Sequence, residues 1–293
     1  MKISEILKSN KATLSFEVFP PKTSASLESI KDATAQIAEL KPDFMSVTYG
    51  AAGGARQYSA EIAKHVQSHG ATAIAHITCV DATAESLKAQ LATLKEYGIE
   101  NVLALRGDLP EGTESTEGWP YRHASELAKA IKGFGDFCVG GACYPEKHPE
   151  SKSVEEDISF MKVKQDAGCE FFTTQMFFDN EIFYRYLYKL RGAGVTVPVI
   201  AGIMPVTNAK QMERIISLSD AFIPRSYVSI LDKYGDKPEA LKQASIAYTT
   251  AQIIDLLANG INNIHIYAMN KPDVAKAIQD NLSELVPSCA KQS

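Results

Sequence analysis

Eight short β-rich runs, separated by helical patterns, constrain the fold of this chain more than any other feature of its sequence. They are TLSFEVF (13–19), FMSVTYG (44–50), TAIAHITC (72–79), NVLALRG (101–107), FCVGGACY (137–144), FFTTQMF (171–177), VPVIAGIM (197–204) and NIHIYAM (263–269). The first seven begin 26 to 36 residues apart, which is one strand plus one crossover helix, the connection that parallel strands require. In the intervals Leu27, Ile30, Ala33, Ile37 and Leu40 share a helical face, and Leu87, Leu91 and Leu94 share another that Gly98 closes. Ser24–Ser26 with Glu28 behind it reads as a helix N-cap. Only the last interval is long, so residues 206–260 must hold two or three helices, the final one ending near Gly260. The alternation predicts an α/β chain folded as a (β/α)8 TIM barrel, a single domain over residues 1–293. An open doubly wound sheet is the alternative, but no Pro/Ser-rich linker or composition break divides the chain. Its 293 residues fit one barrel of about 250 residues with extensions as well as two ordinary domains.

Composition narrows the function classes. Hydrophobic residues make up 45% and charged residues 22%, the balance of a globular protein rather than a disordered one. Thirty Lys+Arg against 35 Asp+Glu give a net charge of −5 without any basic run, which argues against a nucleic-acid partner. No apolar stretch approaches the ~20 residues of a membrane span, and MKISEILKSNKATLSF lacks the apolar core of a secretory signal. Five cysteines, an odd number without a CxxC, suit reduced thiols and a cytoplasmic location.

In a closed barrel, alternate strand residues face the interior or the helices. In the first run Leu14, Phe16 and Val18 form the bulky set that packs on helices, which sends Ser15 and Glu17 inward. The same alternation pairs Ser46 with Thr48, His76 with Thr78, Arg106 with Asp108, Ala142 with Tyr144, Thr173 with Gln175, and His265 with Tyr267. The later member of each pair lies at or near the C-terminal end of its run, where the loops of barrel enzymes converge. A buried carboxylate, guanidinium or imidazole costs free energy unless it is paired. Polar residues at this level on so many strands therefore point to one large polar site.

Each residue also has a structural reading. Glu17, ahead of Phe19-Pro20-Pro21, is either a reactive carboxyl group or half of an ion pair. Arg106 and Asp108 form such a pair, or flank a ligand that approaches the backbone at Gly107. His265 is a satisfied core histidine or a site residue. His65 and His69 have metal-ligand spacing on a helix but no third ligand or HExxH, so a solvated face is preferred and no metal is expected. The Ala51-Ala52-Gly53-Gly54 loop is a phosphate cradle or a turn, and Cys138 and Cys143 read as core thiols. No GxGxxG follows a strand and no GxxxxGK[ST] occurs, so a dinucleotide must be held by something other than a Rossmann unit or a P-loop. A Schiff-base aldolase barrel would need an inward lysine, and none of the eight runs contains one.

Read together, SFEVFPPKT (15–23), SVTYGAAGG (46–54), AHITC (75–79), LALRGDLP (103–110), ACYPEKHPES (142–151), KVKQDAGCEFFTTQMFFD (162–179) and VIAGIMPVTN (199–208) resemble the methylenetetrahydrofolate reductase family in its short bacterial form. The resemblance runs from about residue 13 to 270 and implies an FAD-dependent barrel that reduces 5,10-methylenetetrahydrofolate to 5-methyltetrahydrofolate. By this resemblance Glu17 is the acid that protonates a ring amine nitrogen, so that the five-membered ring opens to an iminium before hydride arrives from reduced flavin. Asp108 matches the aspartate between flavin and pterin, which accepts hydrogen bonds from the pterin and steadies the cation. Gln175, Tyr267 and Lys271 match folate-binding positions, together with Glu17 and Asp108. Thr48, Tyr49, Ala51, His76, Arg106, Gly107, Asp108, His123, Ala124, Tyr144, His148, Ser151, Asp157 and Lys164 match FAD-contacting positions. Arg106 and Lys164 suit pyrophosphate or ribityl oxygens, and Asp157 suits ribose hydroxyls.

The chain also departs from the family's pattern. Ala209 stands where bacterial relatives carry an aromatic that stacks on nicotinamide or folate. His123 replaces a Tyr beside the adenine, Val163 an Arg before Lys164, and Lys271 an Arg that meets a folate carboxylate. Two electron sources follow as expectations: NADH or NADPH acting directly, or a partner protein that reduces the flavin, which the loss at Ala209 favours. A homo-oligomer is the expected assembly.

Overall fold

The computed structural model describes residues 1–9, 11–49, 56–80, 82–109, 112–113, 115–212, 215 and 221–286. Eight parallel strands close on themselves in sequence order: β1 (Thr13–Val18), β2 (Phe44–Val47), β3 (Thr72–Thr78), β4 (Asn101–Leu105), β5 (Cys138–Cys143), β6 (Phe171–Thr174), β7 (Val199–Ile203) and β8 (Asn263–Ile266), which pairs back onto β1. This is the (β/α)8 barrel that the alternation predicts, not the open sheet. The connecting helices are α2 (Leu27–Ala38), α3 (Arg56–Ser68), α4 (Ala84–Glu96), α5 (Ala124–Phe134), α6 (Val154–Asp166) and α7 (Asn180–Gly192). The long interval holds a short helical segment at 209–212, then α8 (Arg225–Tyr234) and α9 (Pro238–Ala258), and α10 (Pro272–Asn281) follows β8. No helix among the described residues is long and apolar enough to cross a membrane.

β2, β4, β6 and β8 stop two to three residues before the β-rich runs do. The expected cap of α2 also differs: Ser24–Ser26 forms a 3-10 turn that leads into the helix, and Ser26 makes no side-chain cap. α4 is capped instead in the ordinary way, by Thr83 accepting from the Ser86 N–H at 3.1 Å.

Side-chain parity follows the expectation on β1. Leu14, Phe16 and Val18 join Ile37, Leu91, Leu94, Leu127, Ile131 and Leu190 of the helices in one continuous outer core. Inside the barrel the N-terminal ends supply an apolar floor of Phe44, Ile74, Leu103, Cys138, Phe171 and Ile200. A short helix before the first strand, α1 (Ile3–Ile6), closes this floor from below with Ile3 and Leu7. Asn101 at the start of β4 holds the stopper, accepting from the Ile3 N–H at 2.8 Å and donating to the Met1 carbonyl at 3.0 Å.

On β4 the parity expectation fails. Leu103 and Leu105 are the inward residues, so Arg106 and Asp108 are not on the interior face of the strand. The chain leaves β4 through Gly107, whose φ is +85° and where a Cβ would come within 2.9 Å of Thr78 Cβ and 3.0 Å of Val80 Cγ2. Crowding by the chain's own β3 end therefore explains this glycine without a ligand.

The stopper predicts a stability effect confined to the floor. Ile3→Ala should lower unfolding free energy by about 2–4 kcal/mol through the cavity it leaves, read from urea melts with unchanged slope. Ligand binding at the opposite end of the barrel should be unaffected.

Candidate active site

One step above the apolar floor the interior becomes polar. Glu17 of β1 sits opposite Ser46 of β2 in the ladder, and Ser15, two residues below it, lies beside Phe44 and His265. The His265 ring lies parallel to the floor residue Phe44, with centroids 6.0 Å apart. Ser46 Oγ is 3.3 Å from Glu17 Oε2 and 3.0 Å from His265 Nε2, while Ser15 Oγ is 2.7 Å from His265 Nδ1 and donates to the Ile264 carbonyl at 3.0 Å. His76 of β3 brings Nε2 to 3.7 Å from Glu17 Oε2 and has no hydrogen-bond partner for that buried atom.

Burial sets the charge states. Desolvation pushes the Glu17 carboxyl group up to about 8, with the Ser46 hydroxyl opposing. Burial pulls His76 and His265 down to about 3, so both imidazoles are neutral near pH 7. A neutral carboxyl group beside two neutral imidazoles needs no counter-ion, which resolves the cost of burying Glu17.

Ser15 donates its one hydrogen to the Ile264 carbonyl and therefore faces His265 Nδ1 as an acceptor. Ser46 donates to Glu17 Oε2, a bond that favours the carboxylate and opposes the desolvation, and its Oγ also lies against His265 Nε2. His265 is thus both a satisfied interior histidine and part of the site.

A second, charged lobe lies where β4, β5 and α6 end or begin. Arg106 pairs with Glu150 rather than with Asp108, and this pairing holds the Glu150 carboxyl below its ordinary value. His148 packs edge-on to Tyr144 with centroids 4.7 Å apart. Ser151 Oγ donates to Asp157 Oδ1 at 3.2 Å, but the other Asp157 oxygen is buried without a partner, and desolvation raises the group. Lys164 reaches in from α6 to the Ala142 carbonyl at 2.8 Å, and burial lowers its ammonium group with Asp157 opposing. Orphaned oxygen on Asp157, orphaned nitrogen on His76 and a buried lysine are the partners a polar ligand carrying hydroxyls and anionic oxygens requires.

The remaining sequence candidates fall around these lobes. Tyr267 donates to the Thr174 carbonyl and crosses the barrel mouth over Gly202, where a Cβ would lie 2.6 Å from the tyrosine oxygen. Lys271 Nζ contacts Thr207 Oγ1, and the Gln175 amide oxygen accepts from the Met176 N–H at 3.0 Å. Tyr49 accepts from Gln90 at 2.8 Å, and the Thr48 carbonyl accepts from Ser59 at 2.9 Å. Asp108 is exposed beside Tyr144, and His123 is exposed at the start of α5 with Ala124 buried behind it. Ala51 and its glycine-rich loop lie outside the described residues. The His65 and His69 rings lie tilted to one another with centroids 4.3 Å apart, and their nitrogens contact the Lys31 and His65 carbonyls. Ser15 and Ser46 were visible as inward residues by parity, but their hydrogen bonds to His265 were not. The Glu150 partner of Arg106 carried no local signal, since 44 residues separate them.

Comparison with known proteins gives one consistent family. Residues 2–283 match the family described as methylenetetrahydrofolate reductase. A 5,10-methylenetetrahydrofolate reductase from Pectobacterium carotovorum subsp. carotovorum is 35% identical over 266 residues, covering 90% of this chain and 88% of the relative. The protein of the same name from Escherichia coli (strain K12) is 36% identical over the same length and coverage. Methylenetetrahydrofolate reductase (NADH) 1 from Zea mays is 33% identical over 296 residues, 96% of this chain and 50% of that protein. Among solved structures, an uncharacterized protein from Clostridium thermocellum that binds two copies of 5-methyl-5,6,7,8-tetrahydrofolic acid superposes with a TM-score of 0.65. At 16% identity, over 97% of this chain and 100% of that one, it supports the shared fold.

The Glu17 shift has a measurable sign. Between about 4.5 and about 8 the folded chain keeps a proton that the unfolded chain has lost, so wild-type stability falls as pH rises through that window. Glu17→Gln removes this dependence. Its stability relative to wild type should climb by on the order of a few kcal/mol between pH 5 and 8, then level off. Urea melts at pH 5, 7 and 9 check it, and parallel profiles for the two proteins would contradict the assignment.

Proposed function

Since this chain belongs to the methylenetetrahydrofolate reductase family, we propose that it reduces 5,10-methylenetetrahydrofolate to 5-methyltetrahydrofolate with FAD as cofactor and Glu17 as general acid. The observation that carries this reading is Glu17 itself, a largely buried carboxyl group pushed up to about 8 in the neutral lobe of a barrel mouth. An acid that keeps its proton at neutral pH suits protonation of the amine nitrogen that leaves as the five-membered ring opens. Ser46, which donates to Glu17 Oε2, supports the carboxylate that remains after the transfer.

The charged lobe suits FAD. Arg106 and Lys164 supply cations for pyrophosphate or ribityl oxygens, and the orphaned Asp157 oxygen suits a ribose hydroxyl. His76, with its free Nε2 between Glu17 and the cofactor residues, suits a polar edge of the flavin. Thr48, Tyr49, Tyr144, His148, Ser151 and the Gly107, His123 and Ala124 backbones complete the cofactor surface in this reading. Bound and reduced, FAD supplies the hydride that turns the methylene carbon into a methyl group. Asp108, exposed at the mouth, steadies the positive charge that ring opening leaves on the folate and accepts from its amino group. Gln175 and Tyr267 position the folate, and Lys271 meets its carboxylate tail. The cytoplasm, where thiols stay reduced, is the location this chemistry suits.

A second reading concerns only the electron donor. Ala209, at the start of the helical segment after β7, offers no ring on which nicotinamide can stack, which favours a partner protein as reductant over NADH or NADPH. Stopped-flow mixing with NADH separates the two: slow, unsaturable bleaching is expected, and fast saturable bleaching would overturn the partner reading.

For the main proposal, purified protein should carry or take up FAD, and folate reduction should fall as pH rises through about 8, where Glu17 loses its proton. Glu17→Gln should lower folate turnover by about 10²–10⁴-fold while dithionite still bleaches the flavin. Wild-type turnover in the Gln variant would remove the acid role.

A further inference from the structure

The loop between β5 and α6, residues 144–153, carries Tyr144, His148, Glu150 and Ser151, yet the residue that shapes it belongs to neither lobe. Lys147 has a φ of +92°, one of four non-glycine residues among the described ones with positive φ. A long side chain in that region is strained and persists only where its surroundings enforce it. Here the enforcement is visible. The Lys147 side chain turns back over its own loop, and its ammonium group donates to the carbonyls of His148 at 2.9 Å, Pro149 at 3.3 Å and Ser151 at 2.6 Å. All three donors of the group are used, and the backbone of 148–151 is wrapped around one cation.

Every functional group on the loop depends on that wrapping. The Ser151 N–H returns to the His148 carbonyl at 3.0 Å, the Glu150 N–H donates to His148 Nδ1 at 3.2 Å, and Ser151 Oγ reaches Asp157. Glu150 thereby stands against Arg106. A loop free to relax to negative φ at Lys147 would swing its carbonyls away from one another and carry His148 and Ser151 with them.

We propose that Lys147 is the positioning residue of the cofactor lobe: its ammonium group gathers three backbone carbonyls and so holds His148 and Ser151 in the arrangement that receives the flavin nucleotide. This rests on the flavin reading given above. Lys147 does not touch the nucleotide; it acts through the loop, and ordering the loop in advance removes that ordering cost from binding.

Apoprotein titrated with FAD, followed by flavin fluorescence quenching, tests this with three variants. Lys147→Met removes the ammonium group and keeps the stem, whereas Lys147→Gly also relieves the backbone strain, so that variant keeps a folded apoprotein. Lys152→Met removes the same charge from an exposed side chain of the same loop. FAD should bind tenfold or more weakly to both Lys147 variants and within twofold of wild type to Lys152→Met. The apoprotein melting temperature of Lys147→Gly should stay near that of wild type. FAD affinity within twofold of wild type in Lys147→Gly would overturn the proposal, as would equal weakening in Lys152→Met, which would mean that only net charge matters. If wild-type apoprotein takes up no FAD, the flavin reading fails first and this proposal falls with it.

Discussion

Closure of the eight-stranded sheet is the constraint on which the site depends. Because every strand is hydrogen-bonded on both edges, alternate side chains have no choice but to fill the interior, and their height along the barrel is set by register. The first inward layer is apolar and sealed by Ile3 and Leu7. The next is Ser15, Ser46, His76 and His265, with Glu17 immediately above. Glu17 is therefore largely desolvated by its rung on the ladder, with a closed hydrocarbon floor below, the barrel wall around it and 17% of its side chain exposed toward the mouth. Water cannot reach it from the N-terminal end, so a carboxyl group at this rung stays neutral unless a cation is brought to it, and none of its described neighbours is one.

The two lobes solve opposite electrostatic problems. Around Glu17 the groups are neutral, and the charge left when its proton departs is met by the Ser46 hydrogen bond rather than by a cation. Around Arg106 and Lys164 the groups are charged, and the internal partners Glu150 and Asp157 balance them. Glu150 is exposed enough to move aside for a competing anion, whereas Asp157 is buried and keeps its place. With a net charge of −5, attraction for an anionic ligand has to come from this local arrangement, because the overall field of the chain opposes it.

What the sequence made legible follows from which interactions are periodic. Strand parity depends on a spacing of two residues, and it placed Ser15, Glu17, Ser46, His76 and His265 in the interior correctly. Parity fails where the backbone leaves the ladder. It assigned Arg106 and Asp108 to an inward face because nothing in LRGD announces that β4 ends at Leu105 and that Thr78 and Val80 force a left-handed glycine. The motif resemblance located the charged lobe, but partners far apart in the chain, such as Arg106 with Glu150 or Ser46 with His265, carry no local pattern. The stopper α1 was also silent, since four helical residues show no usable periodicity.

Strain is distributed in the same polarised way. Of the described non-glycine residues with positive φ, Lys147, Met269 and Asn270 all follow C-terminal strand ends, and only Lys41 lies at the other end of the barrel. Asn270 shows what the strain accomplishes. Its amide accepts from the Phe19 N–H and donates to the Phe19 carbonyl, both at 3.0 Å, which ties the loop after β8 to the loop after β1. That clamp fixes the chain two residues beyond Glu17, as the Lys147 ammonium group fixes the loop beyond Tyr144. The outer core and the sealed floor supply stability far from the mouth, and that surplus lets the mouth hold backbone conformations that local preference would reject. In this barrel the end that carries the candidate site is held by a few specific polar clamps, while the opposite end is held by packing.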